Sequence, residues 1–242
     1  MKLKASNSTG TSKNLIAHHE YPIWITFPRT IKLLQNKRSA NPRNCYEEHT
    51  QNTGFNATII LLSAASIEGF LVESLTSIKY MSKFKAGKTF QDRLDNYFLK
   101  KVAFASFKDF PELFELSLGR PISKLIKDEE LIAGIKCLID LRNAIAHGRS
   151  VSWQYFSESD IDLKDDDASG VEFYNPYDKI YAYLLKYKLV KKHDDIFKNK
   201  VADHFSSIIK PYMNAVAQLL PPAQSKKLTV SIAFAFREVS FE

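Results

Sequence analysis

The feature that most constrains this chain is an unbroken helical pattern from Glu47 to Met81. Within it Ile60, Ser63, Ala64, Ile67, Phe70, Leu71, Ser74, Leu75 and Ile78 recur at spacings of three and four, which puts them on one broad face of a helix. A helix with so wide an apolar stripe must be covered by other elements, and Ala64, Ala65 and Gly69 leave room for a neighbour to approach closely. The most apolar run, Ile59 to Val72, is interrupted by Ser63, Ser66 and Glu68 and is too short to span a bilayer. The pattern therefore predicts the core helix of a bundle.

Other segments supply the covers. Pro28 can open a short helix carrying Ile31, Leu33 and Leu34, preceded by an apolar stretch, Tyr21 to Phe27, that reads as a strand or an extended packing arm. Helices fit Phe90 to Phe104 and Pro111 to Leu118. Asp128 is a good N-cap for a helix whose apolar face runs from Leu131 to Ile145 and which Gly148 is placed to terminate. Asn175 and Pro176 begin a helix to about Val190, and another covers Asp194 to Leu220 with Pro211 inside it, which predicts a bend. The segments 150–156 and 170–174 read as a long-looped hairpin around an acidic stretch. Leu228, Val230, Ile232, Phe234 and Phe236 alternate at period two, the pattern of a strand with one buried face. The expected fold is mainly α, a helical bundle with a small accessory sheet: a basic arm over 1–43, a helical domain over 44–222 and a C-terminal strand over 223–242.

Charge is unevenly placed. The net charge is +7. Residues 1–43 hold Lys2, Lys4, Lys13, Arg29, Lys32, Lys37, Arg38 and Arg43 against the single acid Glu20, so they account for the whole excess. Such an arm suits an RNA backbone, with Lys37, Arg38 and Arg43 as candidate contacts, or is a solvated extension with no partner. Two cysteines, Cys45 and Cys137, stand in no metal-binding or disulfide pattern, and the first ten residues are polar. A cytoplasmic protein with no membrane partner, no metal and no cofactor is expected. The stretch "AGKT" at 86–89 has Ser82 where a phosphate loop needs glycine, and the acids of 160–167 lack a calcium loop's glycine and final glutamate.

One stretch does not fit a purely structural helix. In "LRNAIAHG", 141–148, an arginine, an asparagine and a histidine occupy the last turns of an apolar helix. At about 100° per residue, Asn143 and His147 share a face, while Arg142 and His147 diverge by roughly 140°. Either Arg142 reaches round, or it turns inward to brace Glu68 of the long helix.

These residues resemble the signature of the HEPN domain family, an arginine and a histidine separated by a short spacer near a helix end. "LLSAASIEGFLVESL", 61–75, is similar to the family's long early helix, with Glu68 at a place where a glutamate often stands. The resemblance covers about 45–220. It implies a metal-independent endoribonuclease acting as a homodimer through the Arg142–His147 helix, with His147 as acid or base, Arg142 on the scissile phosphate and Asn143 orienting one of them. Glu68 would support Arg142, and Arg149 would touch RNA or lie on plain surface. A histidine titrates near neutral pH, and an arginine fork can hold charge growing on phosphoryl oxygens. Toxins of this family paired with a nucleotidyltransferase antitoxin typically carry tyrosine, the target of modification, at the position of Arg149, so the resemblance does not extend to that regulation and leaves the antitoxin or regulator unidentified. A non-catalytic module that binds nucleotide or a protein partner is the alternative.

Overall fold

A helix apolar on nearly every side is stable in water only where other elements surround it, and that requirement organises the molecule. The computed structural model describes residues 22–39, 46–80, 90–148, 153–155, 171–173, 177–191 and 193–237. They form α1 (Phe27–Lys37), α2 (Tyr46–Tyr80), α3 (Phe90–Ala103), α4 (Phe110–Leu118), α5 (Ile122–Leu125), α6 (Glu129–Ala146), α7 (Tyr177–Lys186), α8 (Asn199–Gln218) and α9 (Pro222–Ala235). A short antiparallel ladder pairs β1 (Trp153–Tyr155) with β2 (Val171–Phe173), Gln154 opposite Glu172.

The long helix α2 is the centre of the fold, in contact with α1, α3, α4, α6, α8 and α9. Its buried residues extend past the predicted stripe to Asn52, Asn56, Ile59, Ser66 and Ser77, because covers lie on several sides. Two hydroxyls in this interior bond one turn back, Ser66 donating to the Leu62 carbonyl at 2.7 Å and Ser74 to that of Phe70 at 2.8 Å, whereas the buried Ser63 hydroxyl has no partner among the described residues. By length and composition Glu48–Ile78 passes as a membrane span, with mean hydropathy 1.7, but half of its most apolar window is buried inside the bundle. The shorter run judged from sequence understates how far this apolar character extends.

Two segments expected to be extended are helical. Residues 23–26 form a 3-10 turn whose Trp24 is buried, with its indole donating to Glu73 at 2.7 Å. Gly69 makes this possible, since a Cβ there would stand 2.8 Å from Trp24 Cβ. The C-terminal strand is α9: Leu228, Ile232 and Ala235 face the core at helical spacing, while Val230 and Phe234 are exposed. The period-two pattern misled because α9 is apolar on both faces, so alternate positions are apolar whatever the conformation. Trp24, Ile25 and Ile31 from the basic segment and Leu228 and Ile232 from the C-terminal one belong to one core with α2, α6 and α8.

Helix ends follow local chemistry. Asp128 caps α6, accepting from the Leu131 amide at 2.9 Å, and α6 closes at Gly148, whose φ of 59° only glycine adopts without cost. The seventh helix stops earlier than its predicted end near Val190. Lys188 takes the left-handed conformation, with Leu189 N donating to Leu184 O at 2.8 Å and Lys188 N to Leu185 O at 2.9 Å. Pro211 is accommodated within α8.

A polar clasp ties the end of α1 to α2 and α8. Arg38 meets both carboxylate oxygens of Asp203 through Nη2, and through Nη1 donates to Asn56 Oδ1 at 2.9 Å. Asn56 donates in turn to Phe197 O at 2.7 Å, and Ser39 exchanges two 2.9 Å bonds with Asn52. Gln35 adds a 2.7 Å bond to Asp203.

Candidate functional site

Packing of α6 on α2 brings the two halves of the sequence signature together. Leu138, Leu141 and Ala144 bury one side of α6, which sets Arg142 at the border of the helix interface opposite Glu68 of α2. The Arg142 guanidinium ion-pairs with Glu68 Oε2 through Nη2 and donates to Asn143 Oδ1 at 2.8 Å through Nη1. The pair is only partly covered, its side chains 30% and 21% exposed. Of the two orientations open to Arg142 from sequence, it takes the inward one.

His147 stands apart from this pair. It is the C-cap of α6, with φ −89° and ψ 5°, and its amide donates to the Asn143 carbonyl at 3.1 Å. The residue is exposed, and its imidazole is free of hydrogen bonds to the described residues. Asn143 thus touches both neighbours, by its side chain to Arg142 and by its carbonyl to the His147 amide. One protomer supplies a braced arginine and an open histidine at a single helix end.

The other expected residues divide. Lys37 is exposed in the last turn of α1. Arg38 is not available to RNA: its side chain is 9% exposed and its fork is occupied by Asp203 and Asn56, so the expected phosphate contact is corrected to a structural role. Arg43 and Arg149 lie outside the described residues, as do the phosphate-loop-like stretch and the acidic segment.

Among the remaining reactive groups, the Cys137 thiol is buried and pushed well above its ordinary range, first by desolvation and then by the charge of Asp140, so it is no nucleophile. Burial also raises the carboxyl of Asp140, opposed by Lys179. His204, unremarkable in sequence, is half-buried with Nε2 2.8 Å from the Tyr183 hydroxyl, and burial lowers its pKa. No short-range spacing announces that pair or the Arg38–Asp203 pair, since each joins different helices. Among the described residues no three His, Cys, Asp or Glu side chains cluster as metal ligands would.

Compared with protein-family models, curated proteins and solved structures, the chain matches none.

Proposed function

We propose that the chain is a metal-independent endoribonuclease of the HEPN type, a helical bundle with a β insertion near 150–174, acting in the cytoplasm as a homodimer. The observation that carries this reading is an exposed His147 on the same helix end as an arginine that a neighbouring carboxylate already holds in place. In the dimer two α6 C-termini face each other, which overcomes the angular divergence of Arg142 and His147 on a single helix. One imidazole takes the proton of an RNA 2′-hydroxyl as its oxygen bonds to phosphorus. The bond from phosphorus to the 5′-oxygen then breaks, and a second imidazole protonates that oxygen, leaving a 2′,3′-cyclic phosphate and a 5′-hydroxyl. Arg142, with Asn143 at its side, offers its outward donors to the phosphoryl oxygens as negative charge grows on them. Lys37 and Arg149 extend the contact to the RNA backbone, and a regulator or antitoxin would act by covering the cleft.

A second reading has its own support. The Arg142 fork is held by Glu68 and Asn143 of its own chain, an arrangement that equally suits a non-catalytic module that binds nucleotide or a protein partner and uses the signature for packing. Incubating the purified chain with single-stranded RNA in EDTA separates the two. The nuclease reading expects cleavage that His147→Ala abolishes; intact RNA, or cleavage that survives the substitution, sinks it.

A further inference from the structure

A second surface is formed by the first 3-10 turn, α1 and α9, which touch one another. Helix α9 buries Leu228, Ile232 and Ala235, so its opposite face should be polar. Instead that face carries Val230 and Phe234, 63% and 49% exposed, and the adjoining turn adds Ile23 at 65%. Along the same stripe, at helical spacing, Lys226 and Lys227 precede Val230 and Arg237 follows Phe234. Neither α1 nor α9 contains an acid, and after Asp203 the next acid in sequence is Glu238. Glu73 of α2, 14% exposed, accepts from Trp24 and lies 4.0 Å from Lys227.

The combination selects among occupants. A second copy of the face would set like charges against each other. A nucleic acid strand would use aromatic faces for stacking, yet Ile23 and Val230 are aliphatic, and the ring of Phe234 already carries the Arg29 guanidinium 4.5 Å from its centroid. Protruding aliphatic groups ringed by cations match a bilayer with anionic headgroups, into whose boundary such residues sink while lysines and arginines meet phosphate. We propose that this face docks peripherally on an anionic lipid surface, Ile23, Val230 and Phe234 entering the headgroup layer and Lys226, Lys227 and Arg237 binding its phosphates. It does not depend on the nuclease reading. It also departs from the expectation of no membrane partner, which weighed only a spanning helix and not a surface contact.

Flotation of the full chain with vesicles of phosphatidylcholine plus phosphatidylglycerol, against phosphatidylcholine alone, tests it. Binding to the anionic vesicles only, weakened by salt, is expected. Replacing Lys226 or Lys227 by glutamine should cost about fivefold in affinity for each, and Val230→Glu should remove binding. Circular dichroism checks that each variant stays helical, and Val230→Trp gives a second readout, a blue shift in emission on anionic vesicles. Absence of flotation, equal flotation with neutral vesicles, or retention by Val230→Glu overturns the proposal. So does an RNA oligonucleotide binding through Lys226 and Lys227 without vesicle binding, or a monomer–dimer shift controlled by Val230.

Discussion

Two arginine–carboxylate pairs join helices of the bundle, Arg38–Asp203 between the end of α1 and α8 and Arg142–Glu68 between α6 and α2, and they are built differently. Arg38 is 9% exposed, its fork filled by Asp203, Asn56 and the Asn199 carbonyl. Arg142 is 30% exposed, bonded to one carboxylate oxygen and to the adjacent asparagine. A buried cation must have its donors satisfied, and the clasp around Arg38 does that with amide groups from α2 and the start of α8. The second pair leaves the Arg142 side chain partly exposed, on the same helix end as the exposed His147. The same chemistry thus sets one guanidinium in the interior and leaves the other partly open to solvent.

Breaking the pairs measures that difference. Removing the guanidinium in Arg38→Met should lower stability by roughly 3 kcal/mol, the low end for a buried pair because Asp203 can still reach water. Urea unfolding checks it, and a loss under about 1 kcal/mol would place the clasp among ordinary surface pairs. Arg142→Ala should cost only about 1 kcal/mol by the same measurement, since solvent screens a half-open pair, while eliminating RNA cleavage. His147→Ala should leave stability within about 0.5 kcal/mol of the parent, as for other exposed sites. A large stability loss in Arg142→Ala would erase the contrast and favour the packing role.

The smallest effect concerns pH. His204 follows Asp203 in α8, and its burial depresses its pKa below the ordinary value of 6.5. The unfolded chain therefore binds the proton first, so the stability due to a neutral His204 is present above about pH 6.5 and is lost as pH falls below it. Thermal unfolding from pH 7.5 to 5 should show a decline in Tm that is shallower in His204→Gln. Equal slopes would mean that the ring charges without penalty and that the α7–α8 contact through Tyr183 yields easily.

Much of this arrangement is legible in the residue order. The stripe on α2, the Asp128 cap and the Gly148 stop follow from local chemistry and fix where His147 emerges. The choice of Glu68 as partner of Arg142 was one of two alternatives, decided by which face of α6 the core takes. What the order hides is long-range or ambiguous. Nothing near Arg38 in sequence indicates that Asp203, a whole bundle away along the chain, will claim it. The C-terminal apolar segment satisfies strand and helix periods together, and only the groove beside the 3-10 turn and α8 selects the helix.

The central position of α2 also has a consequence for synthesis. Its sequence is finished at Tyr80, but α8, which covers much of it, begins only at Asn199. At about 5–20 residues per second the ribosome needs roughly 6–24 s to bridge that interval, during which an apolar rod of spanning length emerges without its shelter. Nascent-chain chaperones and the insertion machinery would both find a substrate there, so the yield of this protein in a cell should depend on which of them arrives first.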